Sequence, residues 1–252
     1  MEKVYCRELD TPVGQVILGA MGGKLCLCDW KNSKRRMQNA NRIKRLLKAE
    51  LVAIPSSQEE LESLAEASKS ESLAEASALQ ESLSVLDKTE KELAEYFAGS
   101  RQSFDIPLLL AGTDFQKSVW QALREIPYGE VVTYMDVSQS IGNPQAIRAV
   151  SQAIGSNPLS ILIPCHRVVG SNGDLTGYAG GIEAKRCLLE LENGHEKGKK
   201  NNKCLYGEVL GMTNHMVTYE GSNLLELKKD FEGAVDDYLR IKILILKCNR
   251  LR

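Results

Sequence analysis

No apolar run in this 252-residue chain approaches the roughly 20 residues that a membrane-spanning helix needs. The stretch "KILILKC" near the C-terminal end is far too short. The opening "MEKVYCRELD" lacks a charged-then-apolar leader pattern and begins like a strand. The seven cysteines, at 6, 26, 28, 165, 187, 204 and 248, are odd in number and scattered, without the spacing of a disulfide framework. These absences lead us to expect a cytoplasmic protein with no membrane partner, in a reducing setting where a free thiol survives. Net charge is also nearly missing: the formal value is −1, so bulk electrostatics neither demand nor exclude nucleic acid. What remains is ordinary for a globular chain, 43% hydrophobic and 26% charged, with room for one large domain or a few small ones.

The first 30 residues alternate, "VGQVILGA" and "KLCLCDW" flanking Gly22 and Gly23, which predicts a β-hairpin with one apolar face. The basic stretch "KNSKRRMQNANRIKRLLKAELV" is helical in its second half and reads as a solvated helix face rather than a nucleic-acid arm. Residues 56–87 are biased in composition, with "ESLAEASKS" at 62–70 nearly repeated by "ESLAEASAL" at 71–79. This reads as a tolerated, partly helical surface insertion. Leu86, Leu93, Tyr96 and Phe97 then follow at helical spacing, and Gly99 ends that helix.

From Gly112 to Asn193 signals are denser. "DFQKSVWQALREI" predicts a helix with Asp114 at its N-cap. "VVTYMDVSQSIGN" and "PQAIRAVSQAIGSN" predict two short helices around Gly142 and Asn143, a helix-turn-helix pattern with Pro144 at the first position of the second helix. That second helix carries Ala146, Ala149, Ala153 and Gly155 with a single charge, Arg148, so its backbone suits close approach to a partner. Beyond it lies "ILIPCHRVVGSNGDLTGYAGG". A cysteine becomes a strong nucleophile as its thiolate, favoured by a neighbouring His, a positive charge or a helix N-terminus. The plain alternative is a buried cysteine ending an apolar strand. The glycine-rich run favours the former, since it permits a backbone-lined pocket with Tyr178 as a flat wall for a planar ligand.

Residues 86–193 closely resemble the methylated-DNA–protein-cysteine methyltransferase family. The resemblance is carried by "EYFAG", "GTDFQKSVWQAL", "IPYGEVVTY", "GNPQAIRAVSQAIGSNP", "ILIPCHRVVGSNGDLTGYAGG" and "KRCLLELE", in family order and spacing. It implies an α/β N-terminal domain over 1–111, ribonuclease-H-like with a short antiparallel sheet and holding the insertion at about 56–87. It further implies a mainly helical, winged-helix-like DNA-binding and catalytic domain over 112–195. The partner it implies is double-stranded DNA, entered from the minor groove with the alkylated base flipped out.

By the same resemblance Cys165 accepts a methyl group from O6-methylguanine, with O4-methylthymine as a second candidate, in one turnover per molecule. His166 acts as base through a bridging water, Glu192 orients His166, and Asn157 ties the DNA-facing elements beneath the active turn. Tyr134 rotates the target phosphate and polarises guanine N3. The carbonyls of Cys165 and Val168 accept from the guanine amino group, Arg148 fills the vacated base stack, and Asn143 and Ser171 contact the backbone. No cofactor is implied. A zinc site of the two-Cys, two-His type seen in some relatives does not fit, because the three histidines (166, 195 and 215) all lie beyond residue 160. Ser151 and Gln152 stand where many relatives have smaller residues.

Residues 196–252 add a polar linker, two strands around "CLYGEVLGM" and "HMVTYEG", and an amphipathic helix capped by Ser222. This small ββα extension resembles a partial HicB-like antitoxin module, whose partner is open. Two other function classes stand beside repair. A DNA-binding regulator or antitoxin fusion would use the body only as a DNA reader, and a cysteine hydrolase would leave the helix-turn-helix and Arg148 unexplained.

Overall fold

The computed structural model describes residues 2–55, 72–194, 205–208 and 218–221. Residues 1–196 form one compact unit and 197–252 another. Among the described residues no helix is long and apolar enough to cross a membrane.

The alternation at the N-terminus builds three strands, β1 (Glu2–Thr11), β2 (Gly14–Met21) and β3 (Lys24–Trp30), joined as an antiparallel meander. Val16, Leu18 and Ala20 share one face of β2 and are buried. Gly22 and Gly23 make the β2–β3 turn at φ 52° and 71°, a conformation glycine adopts without Cβ strain. The sheet is not the purely antiparallel one expected. Helix α1 (Arg36–Leu47) carries the chain back, so β4 (Ala49–Ala53) pairs with β1 in parallel and the order is β3-β2-β1-β4. A helical crossover, unlike a hairpin, returns a strand in the parallel sense.

Helix α2 (Leu73–Phe97) lies on this sheet, with Leu79, Leu86, Leu93 and Tyr96 on its buried stripe. It starts inside the Ser/Glu/Ala-rich stretch: Ser72 caps it, and "LAEASAL" forms its first turns with Leu79 inward and Ser77 outward. The first copy of the duplication lies outside the described residues. Gly99, at φ 73°, follows the C-terminus as expected.

Three helices follow: α3 (Asp114–Arg124), α4 (Tyr134–Ser140) and α5 (Ile147–Ile154). The N-cap of α3 is Thr113 rather than Asp114. Its hydroxyl accepts from Gln116 N, and the Gln116 side chain accepts from Thr113 N, a reciprocal capping box. The α4–α5 pair is the helix-turn-helix predicted. Pro144, however, sits in the turn ahead of α5, which begins at Ile147. The small residues of α5 divide between two faces. Ala153 is buried and its carbonyl accepts from Trp120 Nε1 at 2.8 Å, whereas Ala149 is exposed beside Arg148.

The sheet and these helices share one core. The free edge of β3 is covered twice: Leu25 N donates to Pro107 O and Leu109 N to Leu25 O, while Cys28 N donates to Pro158 O and Ser160 N to Cys28 O, each at 2.7–2.8 Å. The second pairing fixes the segment that runs directly into Cys165. Strands β5 (Val132–Thr133) and β6 (Val168–Val169) form a short parallel pair, and α6 (Ile182–Asn193) closes the larger unit. In the other unit, β7 (Leu205–Glu208) and β8 (Thr218–Gly221) pair antiparallel, matching the two strands read there. The helix read from Ser222 lies outside the described residues.

Candidate active site

Pro164 ends the β3-paired segment, and Cys165–Arg167 form a single 3-10 turn, so adjacent side chains leave in different directions. Just upstream, the β-branched Ile161 is held at φ 72°, a strained conformation that a surrounding structure must enforce. Asn157 does part of this. Its Nδ2 donates to Ile163 O at 2.9 Å and to Cys165 Sγ at 3.3 Å, while its Oδ1 accepts from Leu159 N at 3.0 Å. The residue expected to brace the turn therefore also touches the thiol.

Glu192, on the inner face of α6, collects donors from four residues in three parts of the chain. Its Oε1 accepts from Tyr96 OH at 2.7 Å, His166 Nε2 at 2.8 Å and Arg167 Nη2 at 2.9 Å. Its Oε2 accepts from Arg167 Nε at 2.8 Å and Gly129 N at 3.2 Å. Burial alone would raise this carboxyl, but the hydrogen bonds and charge of its partners outweigh it and hold Glu192 well below the usual carboxylate range. An ionised carboxylate only accepts, so His166 Nε2 must carry the proton. Burial pushes His166 below its ordinary value despite Glu192, which keeps the ring neutral. Its Nδ1 is then a bare lone pair, buried and without a protein partner.

Cys165 departs from the sequence reading. Burial raises its pKa, against the smaller opposing pull of Asn157 and Lys185. The Arg167 side chain turns away from the thiol, to Glu192 and to Ile126 O at 2.6 Å. The resting site therefore holds a protonated thiol and a neutral imidazole with a free acceptor nitrogen. Such a pair can move a proton off sulfur when an electrophile arrives.

Around the turn, Tyr178 stands edge-on to both Trp30, at 5.8 Å and 69°, and His166, at 6.4 Å and 80°. Tyr134 opens α4 and its hydroxyl reaches Thr176 O at 3.5 Å, closing the other side. Val168 is buried in β6, and its carbonyl already accepts from Lys185 Nζ at 2.6 Å. The carbonyl of Cys165 accepts from Val168 N. Each keeps one lone pair for a ligand donor. Arg148 is exposed on α5, Asn143 in the turn before it, and Ser171 in the turn after β6. None of these three touches the buried centre in this arrangement.

Sequence reasoning missed Tyr96, Arg167 and Lys185. Lys185 is fully buried on α6 and donates to Val168 O and Thr176 O, fixing the glycine-rich loop. A signal existed: Lys185, Leu189 and Glu192 fall on one helical stripe, so a stripe with an apolar member also carried two charges.

Acidification should destabilise the fold in two steps. His166 has a folded-state pKa below its ordinary 6.5, so the unfolded chain binds the extra proton first and stability falls as pH drops below that value. Glu192, also depressed, adds a second loss as pH falls further through the carboxylate range. Urea midpoints measured from pH 8 to 2 should decline in this way, and His166→Gln should remove the upper step.

Residues 114–194 match the family model described as 6-O-methylguanine DNA methyltransferase, DNA binding domain. A methylated-DNA–protein-cysteine methyltransferase of Haemophilus influenzae is 50% identical over 127 residues, 49% of this chain and 71% of the relative. One of Methanosarcina acetivorans is 57% identical over 102 residues, 40% of this chain and 65% of that relative, so the match spans just under two thirds of its length. Among solved structures, Mycobacterium tuberculosis OGT in complex with DNA is similar at TM-score 0.56 and 35% identity, over 75% of this chain and 93% of the other. The family model ends at residue 194 and lends no support to the HicB-like resemblance of the tail.

Proposed function

This chain belongs to the methylated-DNA–protein-cysteine methyltransferase family, and we propose that it is a DNA-repair protein that takes O6-methylguanine out of duplex DNA and moves the methyl group irreversibly to Cys165. O4-methylthymine is a second candidate substrate. The observation that carries this reading is the bare Nδ1 of a neutral His166, anchored by Glu192, one residue along the turn from a protonated thiol.

In the proposed reaction His166 Nδ1 takes the Cys165 proton through a bridging water. Sulfur then attacks the methyl carbon, the S–C bond forms and the O6–C bond breaks, and its electron pair stays on guanine. Tyr134 donates a hydrogen bond to N3 as negative charge develops on guanine, and the proton held by His166 returns through water to the leaving base, so that guanine departs neutral. The spare lone pairs of the Cys165 and Val168 carbonyls accept from the guanine amino group, and Tyr178 walls the ring. The product is a thioether, which no group at the site can cleave, so each chain acts once.

Outside the pocket, Arg148 fills the stack that the flipped base leaves, while Asn143 and Ser171 contact the DNA backbone. The mixed sheet of residues 1–111 is read as ribonuclease-H-like and residues 112–195, with α4, α5 and the β5–β6 pair, as winged-helix-like. A cytoplasmic setting agrees with the free cysteines 6, 26, 28 and 165.

The DNA side tests this. A duplex with one O6-methylguanine, incubated with excess protein and digested to nucleosides, should lose the methylated base and gain deoxyguanosine. Cys165→Ala should bind the duplex and leave the base unchanged. Binding by the unaltered chain without demethylation would overturn repair in favour of a DNA reader.

A further inference from the structure

The helical half that carries Arg148 is short of positive charge. Residues 112–193 hold six Lys and Arg against eight Asp and Glu, a poor match for a phosphate backbone. Residues 30–49 are the reverse, with eight Lys and Arg and no acidic residue. In sequence that stretch reads as a solvated face, but the fold sets it against the C-terminal end of α5.

Two contacts fix this placement. Arg42 Nη2 donates to Ser156 O at 2.5 Å, and its guanidinium lies over the Trp120 ring at 5.5 Å. Arg35 lies on Gly155 so closely that a Cβ there would come within 2.7 Å of Arg35 Nη1. An arginine from the β3–α1 connection thus lies against the end of the helix that carries Arg148. Between them runs a groove of about 670 Å³, with Lys34, Arg35, Ser151 and Gly155 in its wall and Tyr134 and Tyr178 further along.

The basic residues of this segment are not equivalent. Lys31 is neutralised by Glu8 at 2.6 Å, and Arg42 is turned inward. Lys34 and Arg35 are exposed, and among the described residues neither is paired with a carboxylate. From Arg148 to Gly155 is about 10 Å along α5 at the usual helical rise. That is about three nucleotide steps of one strand.

We propose that Lys34 and Arg35 bind the phosphate backbone of the duplex a few nucleotides from the base that Arg148 displaces, so that the N-terminal half supplies the positive charge the helical half lacks. This rests on the reading of the Cys165 pocket as one that acts on DNA. The groove is the right place for it: it opens beside the exposed face of α5 and leads to Tyr134 and Tyr178 at the pocket.

Fluorescence anisotropy with a labelled, unmodified duplex, over a series of salt concentrations, tests it on the full chain. The double variant Lys34→Ala, Arg35→Ala should bind more weakly, and its log K against log salt slope should be shallower by about 1.8, or about 0.9 for each phosphate no longer neutralised. Arg35→Lys, which keeps the charge, should retain the slope. Alkylation of Cys165 by the free base O6-benzylguanine, which needs no duplex, should proceed at the same rate in the double variant. An unchanged slope overturns the proposal. So does a parallel loss of free-base alkylation, which would make the two residues supports of the pocket. Failure of the repair reading shows separately, as an unaltered chain whose Cys165 stays free with O6-benzylguanine and with duplex carrying O6-methylguanine.

Discussion

Glu192→Gln is expected to lower stability by about 3–5 kcal/mol, the range for removing one partner of a buried ion pair. Arg167, nearly buried, would keep its charge with no counter-charge at Nε or Nη2. Glutamine fits the space but presents an amide whose donor end opposes the donors now aimed at Oε1 and Oε2. Transfer should slow by about 100-fold or more among the folded molecules, the scale of losing a positioned base. The cause would be indirect: His166 Nε2 would no longer be held as a donor, so Nδ1 would not be fixed as the acceptor. Glu192→Asp should recover part of the stability because it restores the charge. Urea denaturation together with single-turnover rates, normalised to the folded fraction, separates the two effects. A variant as fast as the unaltered chain would remove Glu192 from the proton path.

Arg148→Ala carries the second large effect, and it should appear only with duplex substrate. Arg148 is exposed on α5 and contributes nothing visible to the core, so the variant should fold with an unchanged urea midpoint. Opening a base pair and unstacking its base costs a few kcal/mol. If the guanidinium offsets about 2 kcal/mol of that, its removal slows transfer from duplex about 30-fold. Transfer from the free base should be unaffected. Equal slowing on both substrates would mean that Arg148 shapes the pocket rather than the DNA.

Much of this site can be read from sequence because its chemistry sits in one short run. Cys165, His166 and the glycine-rich loop are contiguous, and the α4–α5 pair announces itself through helical spacing around Gly142. Glu192 and Asn157 are reached only through the family resemblance, since nothing local ties them to the turn. Tyr96, Arg167 and Lys185 escape for a physical reason. Charged and phenolic side chains are usually exposed, and only the fold shows that three donors from separate elements converge on buried acceptors. The parallel β4 escapes because "AELVA" after a basic helix has little alternation to separate it from the end of that helix. The early start of α2 is legible only as a partly helical insertion, because polar Ser82 and Thr89 share its buried stripe with Leu79, Val85, Leu86 and Leu93. The basic stretch at 31–48 is visible in sequence, but its position beside α5 is not.

On the proposed reading Cys165 is a reagent consumed once by an alkylated base in DNA. The most direct measurement is intact-protein and peptide mass spectrometry after titration with duplex carrying O6-methylguanine. The expected result is one added methyl per chain, located on Cys165, reaching a plateau that further substrate does not raise. Continued loss of O6-methylguanine beyond one equivalent, or methylation at another cysteine with Cys165 unmodified, would contradict it.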